Sequence, residues 1–155
     1  MLLILLITAV FLTDLTVKSV IEKADPEEFP RELSGTGGLI MLHKNHNQGF
    51  PMGVLKDRPD LVRQIPTAVL SAVAGVFVWV FPKKGRCAEK LGTALVLGGG
   101  LSNLYDRLKR GYVVDYFSIR FKKLQRIVLN LGDVCILLGA VILLLAEIAE
   151  SVREH

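Results

Sequence analysis

The sequence predicts an all-α membrane protein of four transmembrane helices, with a small extracytoplasmic β-sheet beside them. Its mean hydropathy is +0.44, which is high for a water-soluble chain. The hydrophobic residues are concentrated in long runs, and aspartates stand at or next to the ends of these runs. Because 155 residues suit one domain, we expect 1–155 to form a single integral membrane domain.

The predicted membrane spans are approximately residues 1–21, 65–82, 91–107 and 127–147. A helix needs about 20 residues to cross the bilayer core. The first, third and fourth spans reach that length only by including polar residues near one end, and those residues must face protein or trapped water. The first run lacks a basic segment and has no small-residue cleavage site before Asp14, so we expect a retained helix rather than a cleaved signal peptide.

The loop between the second and third spans, Lys83–Lys90, is short and basic, which predicts that it is cytoplasmic. The longer connections, 24–64 and 107–130, would then lie outside. Each of these outer connections holds more Lys and Arg than the loop, which argues for the opposite orientation. Charge alone therefore leaves the orientation open.

Two segments outside the predicted spans have the composition of short β-strands. The runs Leu39–Leu42 and Met52–Leu55 flank the polar segment Asn45–Gly49, which suggests two strands joined by a turn. Apolar and basic residues alternate from Ile119 to Lys122, which predicts a further strand near the lipid headgroups.

Four aspartates mark one level of the predicted membrane. Asp14, Asp106, Asp115 and Asp133 each lie at or near the end of an apolar run, and the predicted topology brings all four to the outer face. A charge at the centre of a membrane helix costs at least about 2.5 kcal/mol, so such residues tend to serve function. Two carboxylates held close together share one proton, and such a pair can activate water and protonate a leaving amine without a metal or cofactor.

The structural alternative for an acid at this level is an ion pair. The pairs that the sequence offers are Asp14 with Lys18, and Asp106 with Arg107 or Arg110. For Asp14 and Asp106 we favour this structural interpretation. Asp115 and Asp133 have no such cation nearby in the sequence, so for them we favour a chemical role.

Three asparagines lie near the same face: Asn47, Asn103 and Asn130. Asn103 stands three residues before Asp106, and Asn130 stands three residues before Asp133. One helical turn is therefore expected to place each amide beside its acid. Each amide has two interpretations. It is a cap or turn former, or it orients a carboxylate or a substrate backbone.

The sequence argues against several other classes. The net charge is +4, but the basic residues fall in short groups between apolar runs, which does not favour nucleic-acid binding. Cys87 and Cys135 do not suggest a disulfide framework. His43 and His46 are three residues apart, but no third residue stands at a spacing typical of a metal site, so we expect no metal site and no cofactor.

Five sequence blocks occur in a characteristic order. They are Asp14–Lys18, Asn47–Gly49, Gly98–Arg107, Gly111–Tyr116 and Asn130–Asp133. Together, and over nearly the whole chain, they resemble the lipoprotein signal peptidases (signal peptidase II).

The resemblance implies an intramembrane aspartic endopeptidase with four transmembrane helices and a small extracytoplasmic sheet that forms a cradle. Such an enzyme removes the signal peptide from a prolipoprotein, cutting just before a cysteine that carries diacylglycerol. It implies a multi-pass protein of the bacterial cytoplasmic (inner) membrane, with its active site at the extracytoplasmic face. The expected partners are the prolipoprotein and membrane lipid, without nucleic acid, and the protein is expected to be a monomer.

The resemblance also assigns site residues. Asp115 matches the first catalytic aspartate of the family and Asp133 the second. The other matching positions, expected to bind substrate or support the site, are Asp14, Lys18, Asn47, Gly49, Asn103, Asp106, Arg107 and Asn130.

Several positions depart from the family pattern, although none removes a carboxylate. Leu15 replaces a usual Gln, Phe50-Pro51 replaces two alanines, Ser102 replaces Gly, Leu129 replaces Phe, and Gly132 replaces Ala. These changes predict a divergent member or paralogue with a reshaped pocket. The alternative functions are a non-enzymatic paralogue that binds lipidated peptides or an inhibitor, and a small proton-coupled carrier. A carrier is expected to have repeated halves, which the sequence lacks.

Overall fold

A computed structural model describes residues 1–50 and 54–153, except for the side chains of Lys123 and Leu124. The helices are α1 (Leu2–Lys23), α2 (Pro59–Val80), α3 (Cys87–Lys109) and α4 (Leu131–Arg153). The strands are β1 (Arg31–Glu32), β2 (Ile40–Asn47) and β3 (Val113–Ile119), which form an antiparallel sheet in the order β1-β2-β3. The predicted arrangement of four long helices beside a small sheet is confirmed.

Several helix boundaries differ from the predicted spans: α3 begins at Cys87 rather than near residue 91, and α4 ends at Arg153 rather than near residue 147. Helix α2 begins at Pro59, so Pro66 lies inside the helix rather than at its start. Helix α4 begins at Leu131 rather than near residue 127, because Leu129 pairs with Phe117 of β3 and keeps the chain extended. Which segments cross the bilayer stays a prediction, as does the assignment of 1–155 to one domain.

Helix α3 is the central helix of the bundle. Within the described residues, α1, α2 and α4 are long and apolar enough to cross a membrane, whereas α3 is not among them. Helix α3 nevertheless has 23 residues, or about 34 Å of helix. It packs against α1, α2 and α4, so much of its surface contacts protein and does not need the hydropathy of a lipid-facing helix.

Three consecutive glycines in α3 allow these contacts. A Cβ atom at Gly98 would collide with α1, one at Gly99 with the backbone of Gly132 in α4, and one at Gly100 with Leu70 in α2. Successive helix residues point about 100° apart, so three neighbours face three different helices. The departure at Gly132 fits the same contact, because a Cβ there would lie 2.9 Å from the carbonyl oxygen of Gly99.

The strand predictions were partly wrong. Ile40–Leu42 of the predicted run lie in β2, whereas Leu39 precedes it, and the strand continues through the polar residues to Asn47, where we expected a turn. These polar residues stay extended because they pair with β3, with Asn45 opposite Asp115.

The other two predicted strands differ as well. In Met52–Leu55, residues 51–53 lie outside the described part of the chain, and Val54 forms only an isolated bridge with Phe50. Strand β3 ends at Ile119, and a 3-10 helix begins at Lys122, so the alternation there does not mark a strand. The actual strand is largely buried and therefore lacks alternation.

Candidate active site

Two of the predicted acids line one cavity where the sheet meets the helix bundle. Asp115 lies on β3, and Asp133 lies in the first turn of α4. The cavity has a volume of about 540 Å³. Its other walls are the end of β2 with the following turn (Asn45–Gly49), Lys56, and the segment before α4 (Arg126–Leu129).

Asp115 is held by two neutral amides. Asn130 Nδ2 donates to its Oδ1 at 2.8 Å, and Asn47 Nδ2 donates to its Oδ2 at 3.1 Å. The residue is 3% exposed. Burial raises the pKa of Asp115 to about 6, and the nearby charge of Asp133 contributes to this rise against the two hydrogen bonds. Asp115 therefore keeps its proton to a higher pH than an exposed aspartate does.

Asp133 is held by the N-terminus of its own helix and by α3. Its Oδ2 accepts from the backbone N–H of Asn130 at 3.1 Å, while Asn130 Oδ1 accepts from the backbone N–H of Asp133 at 2.8 Å. This reciprocal pair is a capping box. Asn103 Nδ2 donates to the other oxygen, Oδ1, at 2.8 Å.

Asn130 therefore links the two acids directly. Its side chain caps α4 and donates to Asp115, while its backbone donates to Asp133. Among the described residues, no Lys, Arg or His nitrogen lies within 4.0 Å of Asp115 or Asp133. Two carboxylates that face one cavity with amide partners and without a salt bridge are suited to holding one proton between them.

A fully buried lysine stands behind Asp133. Lys18 Nζ lies 2.7 Å from Asp14 Oδ2 and 3.4 Å from Asp106 Oδ2. It also donates to Asn103 Oδ1 at 2.7 Å, which turns the amide nitrogen of Asn103 towards Asp133. The lysine thus fixes the orientation of an amide that holds Asp133, without touching that acid itself.

The two acids around Lys18 are fully buried and satisfied by further donors. Asp14 accepts from Ser102 Oγ at 2.6 Å and from the hydroxyl of Tyr116 at 3.0 Å. Asp106 accepts from Arg110 at 2.7 Å and from the backbone N–H of Val114 at 3.1 Å. Buried charges are tolerated when they are paired and hydrogen-bonded in this way.

The predicted ion pairs are largely present. Asp14 pairs with Lys18, and Asp106 pairs with Arg110. Arg107 is placed differently, because its Nη2 donates to the carbonyl oxygen of Gly49 at 3.2 Å.

One of the amides has partners that its sequence spacing does not indicate. Asn103 bonds to Asp133 and Lys18 rather than to Asp106, whose oxygens are occupied by other donors. Sequence spacing along one helix could not indicate a partner on another helix.

The turn after β2 brings Asn47 and Gly49 to the site. The side-chain oxygen of Asn47 accepts from the backbone N–H of Gly49 at 3.0 Å, so its amide nitrogen is directed to Asp115. Gly49 is buried, and its carbonyl oxygen accepts from Arg107. The turn therefore joins β2 to α3 as well as to β3.

The sequence did not reveal the roles of Ser102 and Tyr116. Ser102, a departure from the family's usual glycine, accepts from Lys18 at 3.1 Å and donates to Asp14. The Tyr116 hydroxyl donates to Asp14 and accepts from the backbone N–H of Leu131 at 2.9 Å. Burial raises the pKa of Tyr116, so it remains a donor. A tyrosine in an apolar strand was the one available signal, because its hydroxyl needs a partner when buried.

A second, apolar cavity meets the first at Asp133. It has a volume of about 290 Å³ and lies among α2, α3 and α4. Polar lining comes from Asn103, Arg107 and Asp133, and the apolar lining is Phe50, Ile65, Pro66, Val69, Leu70, Val96, Gly100 and Ile136. The departure at Phe50 therefore reshapes this cavity, whereas Pro51 lies outside the described residues. Nothing in the structure explains Leu15.

The two histidines considered for a metal site are directed to separate partners. His43 Nε2 lies 2.8 Å from Ser118 Oγ, and His46 Nε2 lies 2.6 Å from Glu22 Oε1. Within residues 1–50 and 54–153, no group of three or more His, Cys, Asp or Glu side chains is arranged to hold a metal.

Solved structures share this fold. A bacterial membrane enzyme crystallised by the in meso method at 2.3 Å superposes with a TM-score of 0.83 over 99% of this chain and 91% of its own, at 19% identity. A second such structure, at 1.9 Å, gives a TM-score of 0.76 over 93% of this chain and 90% of its own, at 20% identity.

Sequence comparisons identify the family. A lipoprotein signal peptidase of Pseudoalteromonas translucida is 35% identical over 113 residues, which cover 71% of this chain and 68% of the relative. A lipoprotein signal peptidase of Moorella thermoacetica is 35% identical over 121 residues, which cover 76% of this chain and 77% of the relative. The family model for signal peptidase (SPase) II matches residues 6–149. The predicted resemblance is confirmed, and the chain belongs to the signal peptidase II family.

Proposed function

We propose that this protein is an intramembrane aspartic endopeptidase that removes signal peptides from prolipoproteins, cutting just before a cysteine that carries diacylglycerol. The observation that supports the aspartic mechanism is the pair formed by Asp115 and Asp133. Both line one cavity, Asn130 holds both, and neither forms a salt bridge within the described residues.

The chemistry needs only these two groups and water. One carboxylate accepts a proton from a water molecule, whose oxygen attacks the carbonyl carbon of the scissile bond. The other carboxylic acid donates its proton to the amine that leaves. Because Asp115 retains its proton up to a pH of about 6, the pair is able to hold the single proton that this cycle requires.

The two cavities suit the two sides of the cleaved bond. The apolar cavity among α2, α3 and α4 suits the apolar signal segment or the aliphatic chains of diacylglycerol, and the larger cavity suits the polar chain after the cysteine. Asp133 lies at their junction, where the bond would be placed. In this proposal the protein acts as a monomer in the lipid of the bacterial inner membrane, with the cavities at the extracytoplasmic face.

The test compares two forms of one prolipoprotein, with and without diacylglycerol on the cysteine. We expect the purified protein to convert the modified form to a smaller product whose first residue is the modified cysteine, and to leave the unmodified form intact. Mass spectrometry of the product identifies the bond that is cut. A matched control is Asp60→Asn, which changes an acid in the first turn of α2 and should cleave normally.

Two results would contradict the proposal. Binding of the modified prolipoprotein without any product would favour the non-enzymatic paralogue. Equal cleavage of both forms would show a peptidase that does not require the lipid.

A further inference from the structure

Two basic side chains, Lys56 and Arg126, line the same cavity as the acids but have no part in the proposed bond cleavage. Lys56 lies before α2, and Arg126 ends the 3-10 helix before α4. Both are exposed. Among the residues that the structure describes, neither has a carboxylate within 4.0 Å.

Other basic residues near the site already have partners. Lys44 Nζ donates to the backbone carbonyl oxygens of Glu22 and Ala24, each at 2.9 Å. Arg107 donates to the carbonyl oxygen of Gly49, and His46 contacts Glu22. Among the described residues of this cavity wall, Lys56 and Arg126 are therefore the cations that remain available to a ligand.

The position of the two cavities indicates which part of a substrate they meet. The signal segment is apolar and suits the cavity among the helices, so the chain after the cysteine would extend into the cavity lined by Lys56 and Arg126. We propose that Lys56 and Arg126 form a subsite for acidic side chains in the first few residues after the lipidated cysteine. This inference rests on the proposed peptidase function.

Charge explains why such a subsite is needed. An acidic residue entering this cavity would be repelled by the ionised member of the Asp115–Asp133 pair, and two cations on the wall offset that repulsion. Exposed ion pairs are worth little individually, so each should change kcat/KM by about two- to fivefold. Together they should give a preference of about four- to 25-fold, which salt would weaken.

The first experiment uses the wild-type protein and three prolipoproteins that differ only in the two residues after the cysteine: Asp-Glu, Asn-Gln or Lys-Lys. We expect kcat/KM to fall in that order, and the differences to shrink as NaCl is raised. Because this comparison needs no variant, it does not depend on how a substitution folds.

The second experiment reverses the wall charges. In the variant with Lys56→Glu and Arg126→Glu, the ratio of kcat/KM between the Asp-Glu and Lys-Lys substrates should invert. The control is Lys84→Glu, which changes an exposed lysine in the connection between α2 and α3, at the other end of these helices, and should keep the wild-type ratio.

The possible outcomes separate this inference from the proposed function. Equal kcat/KM for the three substrates would overturn the subsite and leave the peptidase activity established. No cleavage of any substrate would overturn the proposed function and the subsite with it. If the reversed variant changes all three substrates equally, in proportion to the anionic lipid present, the two cations bind lipid headgroups and the subsite is wrong.

Discussion

Asn130 is the residue on which the geometry of the two acids most depends. Its side-chain oxygen caps α4, its side-chain nitrogen donates to Asp115, and its backbone nitrogen donates to Asp133. Exchanging the oxygen and the nitrogen of its side-chain amide would lose both side-chain bonds. A single side chain thus combines a structural role in a helix start with the alignment of a carboxylate.

These two roles of Asn130 can be separated by two substitutions. Asn130→Ser keeps an N-cap oxygen but loses the donor to Asp115, whereas Asn130→Ala loses both. We expect Ala to lower the stability of the detergent-solubilised protein by about 1 kcal/mol relative to Ser. Both variants should have a reduced kcat, because Asp115 is no longer aligned, while Asn130→Ser keeps enough activity for a pH profile.

The pH dependence of the Asn130→Ser variant gives an independent check. The lost hydrogen bond favoured the charged form of Asp115, so its pKa should rise above the wild-type value of about 6. The alkaline limb of kcat/KM, where the shared proton is lost, should therefore move to higher pH by about one unit. An unchanged profile with normal kcat in Asn130→Ser would make Asn130 a helix cap only.

At the scale of elements, α3 positions the site by packing closely against every other helix. Its contact with α4 has two points of backbone approach, at Gly92 with Gly139 and at Gly99 with Gly132. The second point lies next to Asn130 and Asp133. The separation of α3 and α4 thus determines whether Asn103 reaches Asp133, a bond that is 2.8 Å long.

Adding one methyl group to this contact should be damaging. In Gly99→Ala, the new Cβ would collide with the carbonyl oxygen of Gly132, and backbone must move to relieve it. We expect a loss of about 1–3 kcal/mol in stability, together with a loss of activity.

The matched control is Gly75→Ala in α2, where a Cβ atom meets nothing within 4 Å. Alanine has the higher helix propensity, so this variant should be as stable as the wild type or more so. Thermal unfolding in detergent measures both variants. Equal melting temperatures for Gly99→Ala and the wild type would show that the close approach at Gly99 is not required.

At the scale of the whole molecule, the polar and apolar cavities meet at Asp133, and Phe50 narrows the apolar one. The guanidinium of Arg107 lies 5.5 Å from the centre of the Phe50 ring, so the ring also restrains this arginine. The divergence from the family's alanine therefore falls on the wall of the apolar cavity, which Asp133 also lines.

Phe50→Ala should enlarge the apolar cavity and relax selectivity for the residue before the cysteine. The ratio of kcat/KM for a large over a small side chain at that position should rise, by an amount equivalent to about 1–3 kcal/mol. The control is Phe81→Ala, which also removes a phenyl ring. Phe81 follows the C-terminal end of α2, away from the cavity. An unchanged ratio in Phe50→Ala would mean that this ring affects packing only.

The sequence predicted those parts of the site that depend on local spacing or on the family pattern. The Asp14–Lys18 pair is one helical turn apart, so its contact followed from the sequence alone. The bonds from Asn103 to Asp133 and from Asn130 to Asp115 connect different elements, and no spacing rule indicates them. The segment Asn45–Gly49 suggested a turn because Asn and Gly favour turns, but in Asn45–Asn47 the pairing with β3 outweighed that preference.

The central claim is that Asp115 and Asp133 act as one catalytic unit. The most direct measurement is kcat/KM for a diacylglyceryl-modified prolipoprotein with Asp115→Asn, Asp133→Asn and the double variant, each shown to be folded in detergent. Because each acid supplies a proton transfer that the other cannot replace, every single variant should be as inactive as the double variant. A single variant that retains substantial cleavage, with a double variant far slower than either, would contradict a shared mechanism.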